Sequence, residues 1–119
     1  MLIVIKEALQ EYTDVNLYVS DFPGGRYNLG ILYANTGELE KAAESYRTAL
    51  KTDNLFYITK VNFATVYNQQ GKNDEAESLL REVLNENPEL HQVYYSIALL
   101  LDEKGNIPES RKYFLKAVE

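Results

Sequence analysis

The sequence predicts an all-α solenoid of stacked helical hairpins, and three observations predict it. Glycines recur at Gly37, Gly71 and Gly105, 34 residues apart each time. Around them, large, small and aromatic residues repeat in one register with no gap. Within each period, a segment apolar around most of its circumference precedes one whose apolar residues fall at i, i+3, i+4 spacing. A repeat of this length is one supersecondary unit. It cannot bury its apolar face alone and must stack on its neighbours.

The register is dense. Leu29, Phe63 and Ile97 match, each followed by a small residue, Gly30, Ala64 and Ala98. Tyr33, Tyr67 and Leu101 come next; after each glycine follow Ala42, Ala76 and Ser110, then Tyr46, Leu80 and Phe114, then Ala49, Val83 and Ala117. In the first period, residues 25–36 carry Tyr27, Leu29, Ile31, Leu32, Tyr33 and Ala34, a helix with little polar surface. Residues 39–51 carry Leu39, Ala42, Ala43, Tyr46, Ala49 and Leu50 on one face, an amphipathic helix. The small residues belong where the two helices cross, since a large side chain would hold the backbones apart. The repeated glycines end each first helix in the left-handed conformation that a Cβ penalises. Asn73 and Asn106 are expected to cap the helices after them. Pro108 suits the first turn of the last helix, and Asn54 and Pro88 mark the turns between repeats. Ala8, Tyr12 and Val15 continue the register backwards, so residues 2–19 are expected to form a lone second helix. The count is then about seven helices.

This order of residues resembles the tetratricopeptide repeat (TPR) family over residues 23–119. The first repeat supplies the family's Leu29-Gly30, Tyr33, Gly37, Ala42, Tyr46 and Ala49 in sequence. It departs at the family's early Trp position, held here by Arg26, Lys60 and Tyr94. The resemblance implies a right-handed superhelix, with 1–22 the helix of a preceding half repeat and 23–56, 57–90 and 91–119 three repeats. The last has no polar capping helix, and both ends read as truncated, as expected of a piece of a longer protein. A weaker resemblance, carried by Tyr27-Asn28-Leu29-Gly30, Val61-Asn62-Phe63-Ala64 and Leu79-Leu80-Arg81-Glu82-Val83-Leu84, is to TPR tails of exported bacterial multihaem cytochrome-type proteins. No Cys-x-x-Cys-His is present, so haem cannot attach covalently to this chain.

Composition narrows function. The chain has 119 residues and a net charge of −6, from 12 basic and 18 acidic residues. Arg111-Lys112 is the only adjacent basic pair. Nucleic-acid binders need a concentrated basic face, so a nucleic-acid partner is not expected. There is no cysteine, which removes disulfides and thiolate sites. The apolar start, Met1 to Ile5, is too short for a signal-peptide core or a membrane span. The compartment stays open between the cytoplasm and, for a fragment of an exported protein, the periplasm.

Catalysis has little to work with. His91, the single histidine, falls at a helix start beside Pro88 and cannot make a multi-histidine metal site. The serines have no base in register. Asp74-Glu75 sits where negative charge favours a helix N-terminus. Gly24-Gly25 lacks the Lys and the strand of a phosphate-binding loop. No enzyme activity, cofactor or metal is expected.

Of ten tyrosines, Tyr12, Tyr33, Tyr46 and Tyr67 hold packing positions. Tyr18 and Tyr113 suit an edge or surface. Tyr27 and Tyr95 either pack on the neighbouring helix or face a partner. By resemblance, the family's concave groove maps onto Tyr27, Ile31, Asn35, Ile58, Val61, Asn62, Thr65, Gln69, Gln92, Tyr95, Ser96 and Leu99. The chaperone-tail binders of the family clamp a carboxylate from positions held here by Tyr27, Ile31, Asn62, Gln92 and Ser96. Only Asn62 agrees, and the cations are absent, so that function is set aside. The resemblance implies a scaffold that binds a protein or peptide in a neutral, partly apolar groove. In that case Tyr27, Asn62, Gln69 and Tyr95 should be exposed. The alternative is a structural spacer packed against other domains of a longer chain. Its apolar surface should then lie at the ends, around Ile3, Ile5 and Leu115, which would also allow a homodimer.

Overall fold

A computed structural model describes residues 24–52 and 56–119. These residues form six helices: α1 (Gly25–Asn35), α2 (Leu39–Thr52), α3 (Phe56–Gln69), α4 (Asn73–Glu86), α5 (His91–Glu103) and α6 (Ile107–Ala117). The lone helix expected at 2–19 lies outside the described residues. Each helix packs on the next in sequence, and α1 also touches α3, first helix beside first helix. Helices α1 and α3 are weakly amphipathic, α5 moderately so, and the even-numbered helices strongly so. That division follows from position, since a sandwiched helix needs apolar residues on several sides.

The turn inside each hairpin is the same structure three times. Gly37, Gly71 and Gly105 adopt φ of 81°, 80° and 83°. The N–H of Gly37 donates to Ala34 O at 3.1 Å and that of Glu38 to Tyr33 O at 2.9 Å, and the pattern recurs at Gly71 and Gly105. This Schellman arrangement satisfies the last carbonyls of the first helix, and only glycine enters it without a steric penalty.

The expected asparagine caps are not formed. Asn73 is already the first residue of α4, one position past the cap, which is Lys72. Asn106 holds the cap position of α6, yet makes no side-chain cap hydrogen bond. The turn bonds hold the backbone at both cap positions: Lys72 N bonds Tyr67 O and Asn106 N bonds Leu101 O. Each bond fixes the cap backbone from the preceding helix without help from the side chain. Asp74 and Glu75 do lie in the first turn of α4, and Pro108 in the first turn of α6.

Two apolar clusters form the core. The first joins Ala42, Ala43, Tyr46, Phe63 and Val66, with Tyr27, Ile31, Tyr33 and Leu50 against it. The second joins Ala64, Ala76, Leu80, Val83, Val93, Ile97, Leu100 and Leu101. The small residues sit at the crossings. A Cβ on Gly30 would come within 2.5 Å of Tyr46 Cε1. In the third hairpin the matching alanine is Ala98, whose carbonyl accepts from the buried Ser110 hydroxyl at 2.9 Å. That bond explains how serine replaces alanine at a position with no access to water.

Candidate functional site

The groove is built from exposed and half-buried side chains of the odd helices over a floor of core residues. Ile31, Ala34, Asn35, Asn62, Thr65, Val66 and Gln69 of α1 and α3, with Tyr46 of α2 at the floor, line one cleft of about 260 Å³. Val61, Ala64, Thr65, Asn68, Ser96, Leu99, Leu100 and Glu103 of α3 and α5, with Leu80 of α4 below, line a second of about 160 Å³. Thr65 borders both, so the two clefts run on from each other across α3.

Of the residues expected at the groove, Ile31, Asn35, Asn62, Thr65 and Gln69 meet in the first cleft, and Thr65 and Leu99 with Val61 and Ser96 in the second. Tyr27 borders the first cleft through Asn62, whose Nδ2 donates to the Tyr27 hydroxyl at 2.9 Å. Ile58, Gln92 and Tyr95 line neither cleft. Ile58 is half-buried, and Gln92 and Tyr95 are exposed. Tyr95 is 51% exposed although its ring meets Phe114 edge-on at 5.6 Å.

Two expectations of exposure fail. Tyr27 and Asn62 are half-buried rather than open. The Tyr27 ring lies 6.1 Å from that of Tyr46, and its hydroxyl is engaged by Asn62. Stacking of α1 on α3 brings these partners together, and the sequence separation of 35 hides the pairing. Gln69 and Tyr95 are exposed as expected. Among the packing tyrosines, Tyr46 is buried, and Tyr33 and Tyr67 are half-buried against the first cluster. Tyr113 is a half-buried edge residue: it packs on the second cluster and accepts a bond from Arg81. Tyr12 and Tyr18 lie outside the described residues.

The polar groups of the clefts differ in what they have left to offer. Thr65 and Ser96 donate their hydroxyls to Val61 O and Gln92 O, four residues back at 3.2 and 3.1 Å. Each hydroxyl oxygen keeps acceptor capacity. Asn68 was missed by the sequence reading, and its Oδ1 is buried with no hydrogen-bond partner. Its signal was available: it lies three residues beyond Thr65, the neighbouring position on one helix face. Under the first cleft, burial pushes the Tyr46 hydroxyl up to about 12, with the nearby Tyr27 adding to the shift. That phenol stays neutral at any physiological pH. His91 is exposed at the start of α5. Among the described residues, no group of three or more His, Cys, Asp or Glu is placed to hold a metal ion. No helix among them is long and apolar enough to cross a membrane.

Two family models of the tetratricopeptide repeat match the sequence, over residues 23–55 and 61–119. The chain belongs to the tetratricopeptide repeat family. No curated protein matches it significantly. Among solved structures, a crystal structure of MamA superposes with a TM-score of 0.86 at 22% identity, covering 96% of this chain and 67% of that one. MamA of Desulfovibrio magneticus RS-1 from residue 41 onward gives 0.83 at 22%, covering 96% and 64%. MamA of MSR-1 gives 0.83 at 17%, covering 96% and 66%. This TPR chain therefore spans about two thirds of the length of those chains, and at such identity the likeness carries the fold. None of these comparisons bears on the multihaem cytochrome resemblance. The TPR fold is a non-catalytic repeat scaffold, and the chain is a scaffold for protein–protein interaction.

Proposed function

We propose that the array binds a segment of a partner protein along the groove formed by α1, α3 and α5. The residues assigned to this role are Tyr27, Ile31, Asn35, Ile58, Asn62, Thr65, Gln69, Gln92, Tyr95 and Leu99. The observation that carries the reading is the second cleft. It combines apolar walls from Val61, Ala64 and Leu99 with an Asn68 acceptor that the fold leaves unpaired. Its volume, about 160 Å³, matches a cavity that takes a benzene-sized group. One aliphatic or aromatic side chain of the partner fills it, and a turn of the half-buried Asn68 side chain brings its Oδ1 to a backbone N–H beside that anchor. An unpaired buried acceptor costs about 1–3 kcal/mol, which a bound donor returns. The lining carries one charge, Glu103, so recognition rests on shape and neutral hydrogen bonds.

Peptides selected from a random displayed library against the chain test this. A Thr65→Ala/Gln69→Ala/Leu99→Ala variant that melts as the parent does is expected to lose most of the selected binding. Undiminished binding by that variant would remove the groove from the function.

The spacer reading keeps one observation of its own. Leu115 on α6 is 66% exposed, and Val118 just past its end is 82% exposed. Packing of these residues against another domain would make this face the working surface; Ile3 and Ile5 lie outside the described residues.

A further inference from the structure

We propose that a second site, the pocket between α4, α5 and α6, docks an acidic segment of a protein partner through carboxylates set against Lys112 and Lys116. This goes beyond the groove reading and does not depend on it. The pocket holds about 380 Å³ and is lined by Arg81, Leu84 and Asn85 of α4, Tyr94 of α5, and Glu109, Lys112, Tyr113 and Lys116 of α6. Tyr94 lies two residues from Ser96, about 200° around α5, so this pocket and the groove sit on opposite sides of that helix.

The lining sets three cations against one carboxylate in a chain whose net charge is −6. The cations differ in how far they are committed. Arg81 is held: its Nε donates to Glu77 Oε2 at 2.7 Å and its Nη1 to the Tyr113 hydroxyl at 2.5 Å. Burial of Glu77 by itself would raise its carboxyl. Hydrogen bonds from Lys104 and Arg81 outweigh that and hold it below the ordinary value. Arg81 thus keeps the pocket wall in place. Lys112 is 71% exposed and reaches Glu109 at 3.0 Å, a surface pair worth little. Lys116 is bridged by no carboxylate among the described residues, and its ammonium stands 5.4 Å from the centre of the Tyr94 ring.

The Tyr94 and Tyr113 rings, 6.2 Å apart, give the pocket an aromatic floor. The Tyr94 hydroxyl is tied to Pro88 O at 2.8 Å, which fixes that ring. One hairpin earlier the same register positions hold a different arrangement. Lys60 replaces Tyr94 and is bridged by Glu82 and Glu86, Ser78 replaces Lys112, and Glu82 replaces Lys116. The repeat pattern does not require a cationic aromatic pocket; the third hairpin alone of these two has one. Carboxylates on the rim with an apolar side chain over the rings satisfy both halves of this lining.

The test is fluorescence anisotropy of the intact chain with a labelled oligoglutamate peptide carrying one central leucine, at low and physiological salt. The expected result is saturable binding that weakens with salt. It should fall by about tenfold or more in Lys112→Glu/Lys116→Glu. It should be unchanged in the Thr65→Ala/Gln69→Ala/Leu99→Ala groove variant. The Lys112→Gln/Lys116→Gln variant, which removes the charge and keeps a polar side chain, is expected to fall in the same direction and serves if charge reversal prevents folding. Absence of saturable binding would overturn the proposal. So would equal affinity of the charge-altered variants, loss in the groove variant instead, or tighter binding of a DNA oligonucleotide than of the peptide.

Discussion

The two hairpin junctions of the array solve one packing problem with different chemistry. At the first, rings run in a chain: Tyr27 to Tyr46 at 6.1 Å, Tyr46 to Phe63 at 6.2 Å, Phe63 to Tyr67 at 4.4 Å. At the second, the residues in register with Tyr46 and Phe63 are Leu80 and Ile97, and the cluster is mostly aliphatic. The crossing residue changes in step, from Gly30 under the ring to Ala64 in register with it. The larger ring goes with the glycine and the smaller leucine with the alanine, as close packing requires. The aromatic junction also carries hydroxyls into the groove, where Tyr27 satisfies Asn62. At the second junction no such partner reaches Asn68, whose Oδ1 stays unpaired. The two halves of the groove thus differ in which half-buried amide is satisfied.

Breaking the first junction gives the largest expected effect. Gly30→Ala drives a Cβ to within 2.5 Å of a ring that is 2% exposed and cannot swing away. A loss of about 3 kcal/mol is expected by urea unfolding. Adding Tyr46→Leu recreates the Ala64 and Leu80 pairing of the second junction. The double variant should be more stable than the two single losses predict, with a coupling of about 0.5–3 kcal/mol. Strict additivity would mean that the glycine and the ring are not a matched pair.

Alkaline pH should separate the junctions next. Tyr46 has its hydroxyl raised from 10.0 to about 12 by burial. Because the folded state holds that proton more tightly, its contribution is fully present below pH 10. It is lost as the pH rises through 12, by about 2–3 kcal/mol. Unfolding free energies measured in steps from pH 9 to 12 should show this fall in the parent and a shallower one in Tyr46→Phe. Identical slopes would show that another group is responsible.

The smallest effect is a gain. Thr59 is fully buried, and its hydroxyl has no hydrogen-bond partner. Val93, at the same register position in the second junction, is buried without that defect. Thr59→Val is expected to stabilise the chain by about 1 kcal/mol, read as a higher melting temperature. A loss of stability would show that the hydroxyl is satisfied in solution.

Much of the fold was legible because its determinants are local. The 34-residue spacing of the glycines marked three turns that all take positive φ. The alternation of broad and narrow apolar faces marked which helix of each pair is sandwiched. The asparagine caps were misread because Asn73 and Asn106 were judged by residue type. In the structure the turn bonds to Lys72 and Asn106 settle those backbones first. The groove was legible only as a register. Its positions followed from the repeat, but Tyr27 and Asn62 were expected to be open, and Asn68 was missed. Ile58, Gln92 and Tyr95 share that register without lining either cleft.

By itself the sequence determined the all-α repeat, the helix pairs, the left-handed turns and the side chains at the crossings. These depend on contacts within one turn of helix or one register step, which spacing records directly. Only the tertiary structure decided which groove polar groups are satisfied and where Tyr94, Tyr113, Lys112 and Lys116 meet. Those partners come from different helices, and their meeting is set by how the hairpins stack, a geometry that no spacing along the chain encodes.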